Sequence, residues 1–295
     1  MTTEQKVNGD SGAVKPQVLP PKPNVLEALF PVQKPVMGVV HLPPLPGAPR
    51  YGGQPVKDIY AAAVADARTL SEGGFDGIIL ENASDMPFSR PEHIGPSTVA
   101  ALTAACLAVR AVVANPIGIT CVANGVIQAL GIAKAVGAGW VRANQWVNAY
   151  VANEGLLNGP APEAMRYRSN IHANDVAIFA DVHVKFGAHA ITADRSIAEQ
   201  ATDAEWFDAD VLIASGTRTG SPTEPHEVAE VRAGTNLPVI VGSGLSAGQV
   251  PTLLPAVDGA IIGQWLKRDG RWWNPVDPHR VEQLMKAVAK VRQVR

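Results

Sequence analysis

At 295 residues, with 46% hydrophobic and 18% charged side chains, the chain can form one large α/β domain or two smaller ones and bury a sizeable core. Its formal net charge of −2 encodes no general attraction to nucleic acid or to an acidic membrane. Two cysteines, Cys106 and Cys121, make no disulfide framework and fit a reducing compartment, no run approaches the roughly 18 apolar residues of a spanning helix, and the polar N-terminus lacks a signal-peptide core. A soluble, cytoplasmic protein is expected, with association at a membrane surface left open.

Residues 1–23 are rich in Gly, Lys, Gln and Pro and read as a disordered, proline-bearing tail, which leaves 24–295 for the folded domain. Asn24 is placed to cap a short helix over 25–30 that would plug the bottom of a barrel. The apolar run 35–41 reads as a buried strand ending on His41, which a stiff proline-rich loop then holds. A helix over 57–72 carries Ile59, Ala63, Ala67 and Leu70 at helical spacing and closes on Gly73 and Gly74.

The second strand, 77–82, ends on Glu81 and Asn82. A helix from Ser97 or Thr98 to 113 leads to a third strand, 117–121, and a nearly all-apolar helix, 125–136, to a fourth, 140–144, bearing Arg142 and Asn144. The connection 145–162, with Trp146 and Tyr150, is long for a compact domain and reads as a lid. A helix from 163 precedes the fifth strand, 176–183, followed by a helix over 196–206, a sixth strand, 211–216, and a helix over 225–233. Two short apolar runs, 239–241 and 260–262, each end on glycine. A final helix starts at Asp277-Pro278.

Eight strands alternating with helices, apolar on both faces, predict a single (β/α)8 TIM barrel. A doubly wound open sheet is the alternative. In a parallel barrel the chemistry sits at strand C-termini, and here these carry His41, Glu81, Asn82, Arg142, Asn144, Asp181, His183 and Ser215. Asp181, His183 and Lys185 alternate with period two, so an extended strand would point all three inward as an acid/base set. They also read as a structural Asp–Lys pair beside a rim histidine, or, with Glu81, as Asp181 and His183 ligating a divalent metal. Glu81 is a candidate general base, or a partner of Arg142. Lys185 has the position, though no further signal, of a Schiff-base former.

Gly242, Ser243 and Gly244, with Gly263 and Gln264 one βα unit later, present bare backbone suited to phosphate, or simply make tight turns. Ser215 and Arg218 in the sixth loop can add to an anion site. Trp265, Trp272 and Trp273 stack on a ligand or seal the rim or a subunit contact, and a homo-oligomer is expected.

The stretch Val39-Val-His-Leu-Pro-Pro-Leu-Pro-Gly-Ala-Pro-Arg-Tyr-Gly-Gly resembles the N-terminal signature of the BtpA family. Gly74-Phe-Asp-Gly-Ile-Ile-Leu-Glu-Asn, Asp181-Val-His-Val-Lys, Ser215-Gly-Thr-Arg-Thr-Gly and Val241-Gly-Ser-Gly-Leu support it by order and spacing, over about residues 34–292. The resemblance implies a barrel of the ribulose-phosphate-binding type and a role in the accumulation or stability of photosystem I proteins, as a soluble or peripheral factor. With the rim residues and the glycine pair read beside it, two functions are expected. One is an enzyme acting on a phosphorylated sugar or nucleotide-like ligand by isomerisation, lysis or glycosidic-bond hydrolysis. In it Glu81, Asp181, His183, Lys185 and His41 do the chemistry, and Asn82, Arg142, Asn144, Trp146, Ser215 and Arg218 hold the substrate. The other is a non-catalytic factor in photosystem I biogenesis.

Overall fold

Side chains along a strand alternate between two faces, so a strand buried on both sides sorts its residues into two cores. The computed structural model, which describes residues 19–216 and 223–293, shows that sorting throughout. The strands in chain order are β1 (Val36–His41), β2 (Gly77–Glu81), β3 (Ile117–Thr120), β4 (Trp140–Ala143), β5 (Ala149–Ala152), β6 (Gly155–Asn158), β7 (Ala177–Asp181), β8 (Val211–Ala214), β9 (Val239–Val241) and β10 (Gly259–Ile262). Eight of them close into a barrel in the ring order β1-β10-β9-β8-β7-β4-β3-β2, while β5 and β6 form a separate two-stranded sheet, with Val151 of β5 also bridged to Ala188 in the loop after β7. The single barrel expected from the alternation is therefore the fold, and the open sheet is excluded by closure.

Met37, Val39, Ile79, Trp140, Phe179, Ile213, Ile240 and Ile261 face the barrel interior. Their neighbours Val40, Ile78, Leu80, Val141, Ile178 and Leu212 face the surrounding helices. The helix α1 (Val25–Leu29) closes the bottom. Asn24 caps it by accepting from the Leu26 N–H at 3.0 Å, and Phe30 meets the edge of Trp140 with ring centroids 5.5 Å apart. Gly118 is required here, because a Cβ would lie 2.1 Å from the Trp140 indole.

The helices α2 (Val56–Glu72), α3 (Pro96–Arg110), α4 (Val126–Val136), α5 (Ala161–Asn170), α6 (Ile197–Trp206), α7 (Pro225–Ala233), α8 (Val250–Leu253) and α9 (Pro278–Gln293) complete the order. Among the described residues no helix is long and apolar enough to cross a membrane. Of the expected tail, residues 1–18 lie outside the described ones. Lys22 is already fastened to the barrel, its Nζ 2.7 Å from Asp208 Oδ1 and 3.2 Å from the Ala209 carbonyl oxygen.

Two segments differ from the sequence reading. The connection 145–162 is not irregular, since β5 and β6 form an antiparallel hairpin across Asn153 and Glu154. Tyr150 and Leu157 pair on its inner face, while Val151 and Leu156 point out and stay exposed. The fifth barrel strand, β7, ends at Asp181 rather than continuing to His183, and this shortening redirects the side chains of the loop after it.

Candidate functional site

The inward alternation delivers a definite top layer. Above Val39 comes His41, above Ile79 Glu81, above Trp140 Arg142, above Phe179 Asp181, above Ile240 Gly242 and above Ile261 Gly263. The register sets His41 beside Glu81 on adjacent strands. Over this layer opens a cavity of about 650 Å3, within the range of small-molecule sites, walled in part by His41, Glu81, Arg142, Asn144 and Lys185.

Arg142 and Asp181 are paired in two parallel hydrogen bonds, Nε to Oδ2 at 2.9 Å and Nη2 to Oδ1 at 3.0 Å, with both side chains buried. The sequence left Asp181 to choose between His183 and Lys185, and Arg142 to pair with Glu81. In the structure the arginine takes the aspartate, and Glu81 keeps its carboxyl open to the cavity.

No group among the described residues donates a hydrogen bond to that carboxyl. Burial raises the Glu81 pKa, and the nearby charges of Arg142 and Lys185 pull it back only in part. On the same cavity Lys185 is held down to about 8, first by desolvation and then by the Arg142 charge. Its Nζ donates to Ser243 Oγ at 3.3 Å. A carboxyl that retains its proton unusually well and an amine that loses its own unusually easily thus face one space.

His41 does a different job. Its Nδ1 lies 2.9 Å from the Trp272 carbonyl oxygen, which can only accept, so Nδ1 carries the hydrogen. Burial, reinforced by the Lys267 charge, lowers its pKa to about 3. The neutral ring then leaves Nε2 as an acceptor, suited to fixing a hydroxyl or N–H of a ligand and unsuited to proton transfer at neutral pH.

The glycine stretch after β9 lines the cavity with Gly242, Ser243 and Gly244, and that after β10 with Gly263 and Gln264. The N–H groups of Ser243, Gly244, Gln264 and Trp265 have no hydrogen-bond partner among the described residues. Two glycines are fixed by close approach. A Cβ on Gly242 would sit 2.4 Å from Ile213 Cγ2 and 2.9 Å from Arg142 Nη2, and one on Gly263 3.1 Å from His41 Cε1. Open backbone donors beside Lys185 have the chemistry to receive an anion.

Other residues singled out in the sequence lie elsewhere. Because β7 ends early, His183 swings away and stacks on His189 with ring centroids 3.7 Å apart, outside the cavity wall. Burial and His189 hold its pKa at about 4. Glu81, Asp181 and His183 therefore form no ligand set, and among the described residues no group of His, Cys, Asp and Glu is arranged to hold a metal ion. With the arginine committed to Asp181 and Lys185 facing the same space, the donors present do not fit a divalent cation.

Asn82 is a staple, buried and bonded through Nδ2 to Asp85 Oδ2 at 2.9 Å and through Oδ1 to the Val122 N–H at 2.8 Å. Trp146 is buried in the outer core with its Nε1 on the Phe207 carbonyl oxygen. Ser215 is buried behind the wall, its N–H and that of Gly216 donating to Glu227 Oε1. Arg218 lies outside the described residues. Trp265 and Trp272 line the cavity, whereas Trp273 is exposed.

Sequence reasoning missed the buried Lys267–Asp66 ion pair, 2.7 Å long, which ties the loop carrying Trp272 to α2. A signal was present: Asp66 falls on the buried stripe of that helix with Ile59, Ala63 and Leu70. It also missed Phe88, whose loop gave no periodicity to read.

The model of the BtpA family matches residues 32–290. An uncharacterized protein of Thermococcus kodakarensis is 36% identical over 261 residues, spanning 88% of this chain and 97% of that protein. The photosystem I biogenesis protein BtpA of Synechocystis is 37% identical over 263 residues, spanning 88% of this chain and 90% of that one. Among solved structures, Mycobacterium tuberculosis tryptophan synthase superposes with a TM-score of 0.56 at 18% identity, over 87% of this chain and 93% of that chain. A KDPGal structure gives 0.53 at 13% identity, over 88% and 97%. Likenesses at that identity show the barrel fold alone. By a family match that spans all but the termini, the chain belongs to the BtpA family.

Proposed function

We propose that the chain is an enzyme that binds a phosphorylated sugar or nucleotide-like molecule and moves a proton on it. One observation carries this reading: the open Glu81 carboxyl and the Lys185 amine, both with displaced pKa values, face one cavity whose rim is a glycine cradle. The phosphate sits on the backbone of Gly242–Gly244 and Gly263–Gln264, with Lys185 as its cation. Glu81 takes or gives the proton, the Arg142–Asp181 pair holds the floor, and His41 Nε2 and Asn144 orient the polar middle of the substrate. An isomerase, a lyase and a glycosidic-bond hydrolase all use such a set.

The test is a thermal-shift screen of the full chain with sugar phosphates and nucleotides, followed by turnover assays on whatever binds. Stabilisation by phosphate compounds with turnover that Glu81→Gln abolishes is the expected result. A chain that no phosphate compound stabilises sinks the reading.

The Synechocystis relative's name favours a second reading, a non-catalytic factor in photosystem I biogenesis that works as a soluble or membrane-peripheral scaffold. A scaffold has no use for an unpartnered carboxyl at the cavity floor. If Glu81→Gln leaves in vivo function intact, the scaffold reading gains and the enzyme reading loses.

A further inference from the structure

The cavity is chemically lopsided. The cradle lies at the ends of β9 and β10. In the eight-strand ring those two strands stand opposite β3 and β4. On that opposite side Ala123, from the turn after β3, and Tyr150, from the hairpin after β4, join Leu157 and Val184 in a small apolar cluster of their own. Phe88 and Ala152 pack on it, and Phe88, Tyr150, Ala123 and Val184 all face the cavity. Glu81, Arg142 and Lys185 occupy the floor between cradle and wall.

A cavity ordered as anion cradle, ionisable floor and apolar aromatic wall is matched by a ligand of the same order. Resting on the phosphate-binding reading above, we infer that the ligand is a phosphate monoester that also carries a planar ring system, with a sugar-sized polar unit between the two, of the nucleoside 5′-monophosphate type. Eight tilted strands enclose a ring roughly 15 Å across. A pentose phosphate seated on the cradle covers the floor and stops short of Phe88 and Tyr150, leaving the apolar wall wet. A ring on the far side of the sugar reaches that wall, displaces its water and stacks on the Phe88 ring, with Tyr150, itself stacked on His189, behind it. The hairpin turn at Asn153 and Glu154 borders the same wall and supplies polar groups for the ring edge. His41 Nε2, an acceptor over the floor, suits a sugar hydroxyl.

The test is calorimetric titration of the full chain with inorganic phosphate, ribose 5-phosphate, adenosine 5′-monophosphate and uridine 5′-monophosphate. Repeating it with Phe88→Ala and Phe88→Tyr locates the effect. The nucleotides are expected to bind roughly tenfold more tightly than ribose 5-phosphate, as one ring stacked on an aromatic face provides. Phe88→Ala should erase that margin without changing ribose 5-phosphate binding, and Phe88→Tyr should keep it. Ribose 5-phosphate binding as tightly as both nucleotides, or a margin that survives Phe88→Ala, overturns the inference while leaving the phosphate site standing. No binding of any of the four overturns both. If Phe88→Ala does not fold, the wild-type comparison of nucleotide with ribose 5-phosphate decides alone.

Discussion

Arg142 and Asp181 meet edge to edge one layer above Trp140 and Phe179, whose stacked rings lie 5.5 Å apart. The pair thus rests on the packed interior of the barrel and forms the first polar layer over it. Its charges are satisfied by each other, so its first role is to hold the floor. Removing one partner leaves a buried charge alone, which costs about 3–5 kcal/mol. Asp181→Ala is expected to lose that much in denaturant-unfolding experiments. Arg142→Met combined with Asp181→Leu should recover most of it. An Asp181→Ala protein of wild-type stability but no turnover would instead make Asp181 a chemical participant.

Glu81 predicts the opposite sign. Burial raises its pKa in the folded chain, so the native state holds the proton to higher pH than the unfolded state does. Unfolding then releases a proton, and wild-type stability falls as pH rises from the ordinary carboxyl value of about 4.3 through the raised one. Glu81→Gln lacks this penalty. It should match the wild type near pH 4 and exceed it near pH 8 in unfolding free energy. Its turnover should fall by about 10^2–10^4, the range for losing a general acid or base. A variant less stable than wild type at pH 8 would show that Arg142 and Lys185 more than offset the burial cost.

The barrel was legible because period-two alternation, helical stripes and glycine punctuation agree along the chain, and β9 and α7 fall where the sequence placed them. Polar strand ends at His41, Glu81 and Arg142 were legible for the same reason. Their pairing was not, since sequence order sets β4 beside β7 but not which of the nearby charged groups the long Arg142 side chain takes, and it takes Asp181 rather than Glu81. His183 was misplaced because alternation holds only while a strand lasts, and β7 ends two residues earlier. The hairpin was hidden by its short strands, although Tyr150 with Val151 and Leu156 with Leu157 show the in-and-out pattern.

At the proposed phosphate site, Lys185 would make anion binding pH-dependent. Its pKa is lowered to about 8, so the ammonium that faces the cradle is lost as pH rises through that value. Binding the anion favours the charged form and shifts the loss upward. Affinity for inorganic phosphate, or for any phosphate ester that binds, should hold at pH 7 and weaken across pH 8 to 10 in titration calorimetry. Lys185→Met should bind roughly tenfold to a hundredfold more weakly at pH 7, as expected for losing a hydrogen bond to a charged group, and show a flatter profile. A wild-type affinity unchanged from pH 7 to 10 would take Lys185 out of the anion site.

Lys267 tests how the rim is held. It is fully buried, and among the described residues its Nζ hydrogen-bonds only to the carboxylate of Asp66, at 2.7 Å, while the other oxygen of Asp66 accepts the Val276 N–H at 2.8 Å. This arrangement pins both ends of the loop that presents the Trp272 carbonyl to His41. Met fills nearly the same volume but leaves Asp66 charged and half satisfied, so Lys267→Met should cost about 3–5 kcal/mol in unfolding by guanidinium. Adding Asp66→Asn removes the stranded charge and keeps an acceptor for Val276, so the double variant should regain most of the loss. Amide exchange at Val276 should rise in the single variant ahead of global unfolding, because the loop end is freed before the barrel opens. If Val276 exchanges in Lys267→Met as slowly as in wild type, the ion pair does not hold the rim, and the His41 ring is oriented by its close approach to Gly263 instead.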